Sequence, residues 1–192
     1  MSNVFLNLGC FDKKFPPPFI NIDIREDVNP DIVDNAFVLN RFGDNSVDLI
    51  YCSHMFEHLK PVDASKALDV WFKKLRNGGV LRLAVPDFKA ICKRYILTDD
   101  LSELDKLIHG SQKHDFDYHY ASYDFNKLKT LLELHGFIDV KLWNWWEVDP
   151  NRYIDDFSKA YLPSNAPDIA LSHNRLLKNS GLLMSLNIEA KR

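Results

Sequence analysis

Residues 47–87 follow one pattern that few folds accommodate, an amphipathic helix between two short apolar runs. The runs are VDLIYCSH at 47–54 and VLRLAVPD at 80–87. Apolar strands of this kind are buried on both faces, as in a parallel sheet. Asp63 is placed to cap the helix, and the apolar positions at helical spacing are Ala64, Ala67, Leu68, Trp71, Phe72 and Leu75. A strand, a helix and a parallel strand in this order predict a doubly wound α/β sheet.

The connection between the first two predicted strands, 4–9 and 19–24, is unusually short and rich in proline. Only nine residues, 10–18, separate these apolar runs, and the last three are Pro16, Pro17 and Pro18. A helical crossover between parallel strands needs about a dozen residues or more. Proline lacks a backbone donor and keeps the residue before it extended. The sequence therefore predicts an extended loop where a first helix would normally stand, followed by a weaker third strand at 31–36.

In the second half of the chain, the sequence pattern predicts a helix that Asp124 caps. It also predicts two further strands, at 137–145 and in LLMSLNIEAK at 182–191. Residues 146–181 form an excursion between these strands, with a short helix near 152–160. Because no regular crossover helix joins the two strands, we expect them to pair antiparallel at the sheet edge. We predict a single domain, 1–192, built on a mostly parallel sheet of about seven strands with one antiparallel edge strand.

Bulk properties exclude several classes of protein. No apolar run approaches the roughly 18 residues of a membrane span, and the N-terminus lacks the basic and apolar regions of a signal peptide, so we expect a cytoplasmic protein. The net charge of −3 offers no basic surface for long nucleic acid. Three cysteines without metal-ligand spacing predict buried thiols rather than a disulfide framework. No sequence pattern requires a metal.

An ordered set of segments resembles the class I S-adenosylmethionine-dependent methyltransferases, and most of all a compact group of predicted methyltransferases with a very short first crossover. In chain order the segments are LNLGC, NIDI, DNSVD, SHMFEHL, LRNGGVLRLAVPD and LLELHGF. The resemblance is strongest over 4–95. It implies a Rossmann-like fold and S-adenosylmethionine as the cofactor.

The resemblance also implies which residues hold that cofactor. Gly9 and Cys10 correspond to the end of the first strand, where the methionine end of the cofactor passes close to the backbone. Asp23, followed by Ile24, corresponds to the acid that accepts hydrogen bonds from both ribose hydroxyls. Asn35 and Ala36 correspond to the position that meets the adenine edge. Ser53 corresponds to the loop beside the amino-acid moiety of the cofactor. The family's next glycine is replaced here by Phe11, which puts close backbone approach at that point in question.

Histidines supply the candidate catalytic groups. His54 and His58 follow the fourth predicted strand, and His119 lies in HDFDYHYASY at 114–123, which we expect to close over the acceptor. A neutral imidazole can accept a hydroxyl proton as the oxygen attacks the sulfonium methyl. We predict His119 as the base, with Asp115 or Asp117 raising its basicity.

The expected function is methyl transfer to a small acceptor, an oxygen of a sugar, glycan or metabolite. The acid or Asn, two prolines and an aromatic that mark base-modifying methyltransferases are absent, and SHMF stands in their place. A catalytically silent binding or assembly module is the alternative, because Phe11 and the proline loop depart from the family pattern. A dehydrogenase is disfavoured because the chain lacks G-x-G-x-x-G.

Overall fold

A computed structural model describes residues 3–143, 158, 161–163 and 181–192. Among them, no helix combines the length and the apolar character needed to cross a membrane. Most of the predicted excursion, 146–181, and its short helix near 152–160 lie outside the described residues.

A seven-stranded sheet forms the centre of the molecule. Its strands, in chain order, are β1 (Phe5–Leu8), β2 (Phe19–Asp23), β3 (Ile32–Val33), β4 (Val47–Ser53), β5 (Leu75–Pro86), β6 (Ile138–Leu142) and β9 (Ser185–Lys191). A separate antiparallel pair consists of β7 (Tyr161–Pro163) and β8 (Gly181–Leu183). The spatial order in the large sheet is β3-β2-β1-β4-β5-β9-β6. The first five of these strands are parallel, and β9 runs antiparallel to both β5 and β6. This confirms the predicted fold class and the antiparallel pairing near the edge.

The described helices are α1 (Pro61–Lys74), α2 (Phe88–Thr98), α3 (Asp105–His109) and α4 (Phe125–Leu134). Asp124 caps α4 as predicted, since its side chain accepts a hydrogen bond from the Lys127 amide at 2.8 Å. The prediction that Asp63 caps α1 is wrong. That helix begins at Pro61, with Lys60 at the N-cap. Proline is favoured at the first helical position because its missing donor would have no partner there.

The main core lies on the side of the sheet covered by α1 and α4. Ile50 and Cys52 of β4 pack in this core, which also contains Trp71 and Leu132. Leu49 and Tyr51, which alternate with them along the strand, belong to a separate cluster. Successive strand residues point to opposite faces. The aromatic cluster around Tyr51 therefore lies on the second face of the sheet.

The proline loop covers this second face without forming a helix. Its Phe15 ring packs edge-on against Phe19 and Tyr51, at centroid distances of 5.0 and 5.2 Å. The buried side chain of Asn21 accepts from the Phe15 amide at 2.8 Å and donates to the Phe15 carbonyl at 2.9 Å. Asn7 donates to the Lys13 carbonyl at 2.9 Å. Strand side chains thus satisfy loop backbone that helical hydrogen bonds would otherwise satisfy.

Candidate active site

The carboxyl ends of β1, β2, β4 and β5 meet along one edge of the sheet, and ligands of open α/β sheets bind at this edge. At the end of β2, the buried carboxylate of Asp23 accepts two backbone hydrogen bonds. Its Oδ2 accepts from the Phe11 amide and its Oδ1 from the Arg25 amide, each at 2.9 Å. A carboxylate has about four acceptor sites, so Asp23 retains capacity for the two hydroxyls of a ribose. Ile24, the next residue, is exposed.

The β1 turn is close-packed and left-handed. Gly9 has φ +66°, and a Cβ there would lie 2.4 Å from Cγ of Met55. Phe11 also has positive φ, +44°, so it keeps a backbone conformation that glycine adopts without strain. Its ring is exposed and lies against the Arg25 guanidinium, 5.3 Å from the ring centroid. The side chain differs from the family's glycine, but the turn is built in the conformation that a glycine would favour.

Cys10 lies buried in this turn and is chemically quiet. Burial, and then the nearby Asp23 carboxylate, raise the pKa of its thiol to about 12. Cys10 therefore stays protonated at neutral pH and acts as a small apolar side chain.

Asn35 and Ala36 form the turn after β3. The Asn35 Oδ1 accepts from the Phe37 amide at 3.1 Å, and the Ala36 carbonyl accepts from the Trp71 indole at 2.7 Å. Both residues are half-buried. The turn is held in place by α1, at the edge where the resemblance places the adenine.

Ser53 ends β4 and faces the second side of the sheet. Its hydroxyl lies 3.0 Å from the Ser158 hydroxyl, which also meets the Tyr51 hydroxyl at 2.9 Å. The Ser53 hydroxyl therefore belongs to a buried hydrogen-bonded group with Ser158 and Tyr51 on that face of the sheet.

The loop after β4 contains a buried carboxylate surrounded by imidazoles. Glu57 has a side chain only 1% exposed, and its Oε1 lies 3.4 Å from Nδ1 of His54 and 4.0 Å from Nε2 of His119. The rings of His58 and His119 meet edge to face at 4.6 Å. The structure thus brings the three predicted histidines together around an acid that sequence reasoning did not name. We call Glu57, His54, His58 and His119 together the histidine cluster.

Electrostatics favours a charged Glu57 and a neutral His119. Burial raises the pKa of Glu57. The imidazoles of His54 first, and then of His58 and His119, lower it to the extent that they carry a proton, and the balance leaves the carboxyl pKa below its ordinary value. Burial lowers the pKa of His119, although Glu57 opposes this effect. The Nδ1 of His119 lies 3.0 Å from the Leu107 carbonyl, which can only accept. In the neutral ring Nδ1 is therefore protonated, and the Nε2 lone pair faces Glu57.

The segment 114–123 crosses the carboxyl edge of the sheet. His114 lies 3.1 Å from the Arg25 guanidinium beyond β2. The Tyr120 amide donates to the Glu57 carbonyl at 2.9 Å, beyond β4. Tyr123 pairs with Asp87 beyond β5. The segment thus spans from the Asp23 side of the edge to the histidine cluster, which suits the predicted cover for an acceptor.

Asp117 does not support His119 in the way the sequence suggested. It accepts a hydrogen bond from the Ser111 hydroxyl, and the carboxylate that faces His119 is Glu57. The signal for Glu57 was present in HMFEH, since an acid between two histidines at a strand end has chemistry to offer. A cavity of about 330 Å³ lies elsewhere, between α2 and the β8 to β9 region, and includes none of the predicted catalytic or cofactor residues.

Comparisons with known proteins agree with this geometry. A family model described as a methyltransferase domain matches residues 19–83. No curated protein sequence matches the chain.

Solved structures share the fold. A SAM-dependent methyltransferase from Archaeoglobus fulgidus has 18% identity and a TM-score of 0.61, with 100% of this chain and 86% of that chain covered. A possible histamine N-methyltransferase from Thermotoga maritima has 15% identity and a TM-score of 0.59, with 100% and 83% covered. The 1,6-didemethyltoxoflavin-N1-methyltransferase of Burkholderia thailandensis, solved with bound 1,6-didemethyltoxoflavin and S-adenosylhomocysteine, has 11% identity and a TM-score of 0.55, with 100% and 71% covered.

At these identities the structural likeness concerns the fold, and the family model adds the domain type. Together with the ordered segments of the sequence, they support the resemblance: residues 19–83 match a methyltransferase domain, and the fold is that of S-adenosylmethionine-dependent methyltransferases.

Proposed function

We propose that this protein transfers a methyl group from S-adenosylmethionine to an oxygen of a small acceptor, such as a sugar, glycan or hydroxylated metabolite. The observation that carries the proposal is the histidine cluster beside the β1 turn. Met55, which packs against Gly9, and Glu57 belong to the same short loop after β4. Groups that can activate a hydroxyl therefore lie next to the turn assigned to the methionine end of the cofactor.

The residues of the β1 to β3 turns fit the cofactor. Asp23 retains acceptor capacity for a ribose diol, and Gly9 keeps the β1 turn left-handed and closely packed against Met55. Bound there, S-adenosylmethionine supplies an electrophilic methyl on a cationic sulfur. The chain's own contribution is to hold the acceptor in line with that methyl and to exclude water, which the segment 114–123 is placed to do.

A hydroxyl acceptor needs help that many nitrogen acceptors do not. A neutral alcohol is a weak nucleophile until its proton is removed or its oxygen is bound to a Lewis acid. The histidine cluster offers this chemistry, and a nitrogen with a free lone pair does not require it. Two of the three structures described above are named as an N-methyltransferase or a possible one, so nitrogen compounds belong in the test as the competing outcome.

His119 as the general base remains a prediction. Its Nε2 lone pair, its burial and its position on the covering segment support that role. His58 and His54 are the reserve candidates from the same cluster.

Single-domain organisation over 1–192, a cytoplasmic location and the absence of a long nucleic-acid partner also remain proposals. The net charge of −3 supports the last of these. The catalytically silent module remains the second candidate, favoured by the Phe11 ring at the position of a family glycine.

Two measurements test the proposed function in order. Calorimetric titration with S-adenosylhomocysteine should show one site per chain, and no binding at millimolar concentration would leave only the silent module. Methyl-labelled S-adenosylmethionine should then be incubated with a panel of sugars, phenolic metabolites and small amines. Label in the hydroxyl compounds supports the proposal, whereas label confined to the amines would overturn its oxygen assignment.

A further inference from the structure

We propose that Glu57, His58 and His119 bind a divalent transition-metal ion. Each residue offers one ligand atom, and these atoms all lie within 4.8 Å of one another. Around an ion with bonds of about 2.1 Å, ligand atoms lie roughly 3 to 4 Å apart. Small side-chain rotations are therefore enough to close the three atoms around one ion.

The first argument is that buried polar atoms of the histidine cluster lack hydrogen bonds. Among the described residues, neither carboxylate oxygen of Glu57 has a hydrogen-bond partner, and neither does the buried Nδ1 of His58. Buried polar groups are nearly always hydrogen-bonded, because an unsatisfied one retains its full desolvation cost. A buried carboxylate without hydrogen bonds calls for a positive group, and a bound cation is one.

The second argument is the orientation of His119. Its Nδ1 donates to the Leu107 carbonyl, so the neutral ring presents a lone pair at Nε2 to the carboxylate of Glu57, 4.0 Å away. Two electron-rich atoms then face each other across a gap too long for a hydrogen bond. Histidines that bind metals commonly donate their other N–H to a carbonyl in this way, which holds the ring in position.

His54 offers the competing explanation, a proton in place of the ion. The side-chain NH2 of Asn187 donates to the Ser158 carbonyl at 2.9 Å, so the side-chain oxygen of Asn187 faces Ser185. The Ser185 hydroxyl donates to that oxygen at 2.9 Å. Ser185 Oγ must then accept from Nε2 of His54, 3.0 Å away. A second proton, on His54 Nδ1, would give Glu57 a cationic neighbour at 3.4 Å. The test below separates the proton from the metal ion.

The ligand set indicates the class of ion. Two imidazoles and one carboxylate suit Zn²⁺, Mn²⁺, Fe²⁺ or Co²⁺ better than Mg²⁺ or Ca²⁺, which prefer oxygen ligands. Three protein ligands leave coordination positions open, as in catalytic rather than structural sites. An acceptor oxygen can occupy such a position.

The metal's role in catalysis rests on the proposed function, whereas its binding does not. The ion would bind the acceptor oxygen and lower its pKa, and the hydroxyl proton would pass to solvent. The oxygen then forms a bond to the methyl carbon as the carbon–sulfur bond breaks, and that electron pair stays on sulfur to give neutral S-adenosylhomocysteine. One lone pair on His119 Nε2 cannot both bind an ion and accept a proton, so this role replaces the base role of His119.

The direct test uses the full chain without a polyhistidine tag, since such a tag would itself bind these ions. After treatment with a chelator and its removal, the protein is titrated with Mn²⁺ and, separately, Zn²⁺. Calorimetry and metal analysis after gel filtration should give one ion per chain. Glu57→Gln and His119→Gln should each weaken binding at least ten-fold. His109→Gln is the matched control, because His109 is an exposed histidine on α3, and its affinity should match the wild type.

Three results would overturn the site: no stoichiometric binding of either ion, equal affinity in Glu57→Gln, or loss of affinity only in the His109 control. If Glu57→Gln fails to fold, His119→Gln decides, supported by the Co²⁺ absorption spectrum of the wild type, which reports the coordination geometry of the bound ion. Calorimetry with S-adenosylhomocysteine on metal-free protein is independent, so failure of the proposed function and failure of the metal site are distinguishable.

Discussion

At the end of β2 the carboxylate of Asp23 accepts two backbone hydrogen bonds, whereas at the end of β4 the carboxylate of Glu57 accepts none among the described residues. Both acids are buried, and both lie at the same edge of the sheet. The first belongs to a turn that the chain completes for itself, since the Phe11 and Arg25 amides hold Asp23 in place. The second lies among imidazoles that do not satisfy its oxygens.

The difference indicates which part of the carboxyl edge needs a bound ligand to satisfy its buried polar groups. A buried acid held by backbone amides is oriented before its ligand arrives, so binding requires little rearrangement. A buried acid without hydrogen bonds costs stability until a proton or a cation compensates it. We therefore expect the Asp23 side to be formed without cofactor and the histidine cluster to change with its occupant.

The largest expected effect comes from the histidine cluster. His119→Ala should lower kcat by about 10²- to 10⁴-fold, the usual range for loss of a catalytic base, because either the base or a metal ligand is removed. Affinity for S-adenosylhomocysteine should change little, because we propose that His119 acts on the acceptor and not on the cofactor. The assay is methyl transfer to whichever acceptor the labelled panel identifies, with His109→Gln as the control. Normal turnover in His119→Ala, with activity lost in His58→Ala, would move the essential histidine to the β4 loop.

The Asp23 side should respond in binding rather than in turnover. Asp23→Ala should weaken S-adenosylhomocysteine binding by about 1.5 to 3 kcal/mol, as expected when hydrogen bonds to a charged acceptor are lost. Calorimetry measures this change. Asp12→Ala removes an exposed acid from the same loop and should bind as the wild type does. An unchanged affinity in a folded Asp23→Ala protein would make Asp23 an acid that only holds the turn.

Gly9 tests whether the Asp23 side is rigid. A Cβ at residue 9 would collide with Met55 in a left-handed turn, so Gly9→Ala should lower the free energy of unfolding by about 1 to 3 kcal/mol. Urea denaturation measures the loss, and Gly43→Ala is the control because a Cβ there meets only Ser46 at 3.9 Å. Equal stability of the two variants would show that the turn relaxes easily and is less preformed than we infer.

The smallest effect is expected at Phe11. Because Phe11 already has φ +44°, Phe11→Gly should keep the turn, and relief of strain should largely offset the entropy cost of glycine, within about 1 kcal/mol. We expect affinity for S-adenosylhomocysteine to stay within about three-fold of wild type, since the amide bonded to Asp23 is retained. A much tighter complex would mean that the ring obstructs the cofactor, which would favour the silent module for the natural chain.

The fold could be predicted because its signals are local. Apolar runs such as VDLIYCSH, helical spacing from Ala64 to Leu75 and the proline loop each report their own segment, and the order of strands and helices then limits the topology. The start of α1 was misplaced because proline at 61 and the acid at 63 both suit the beginning of a helix.

The site likewise has features that the sequence predicts and features that only the tertiary structure shows. Sequence alone predicted that Gly9, Asp23, His54 and His58 lie at strand ends, where the ligands of an α/β sheet bind, and that His119 lies on the segment 114–123. Tertiary structure decided that His119, carried across the edge on the segment 114–123, meets Glu57 beyond β4, and that Asp117 turns to Ser111 instead. Strand order and loop packing bring these distant residues together, and no local periodicity encodes them. Burial of Glu57 without hydrogen bonds likewise arises only when several segments close around it.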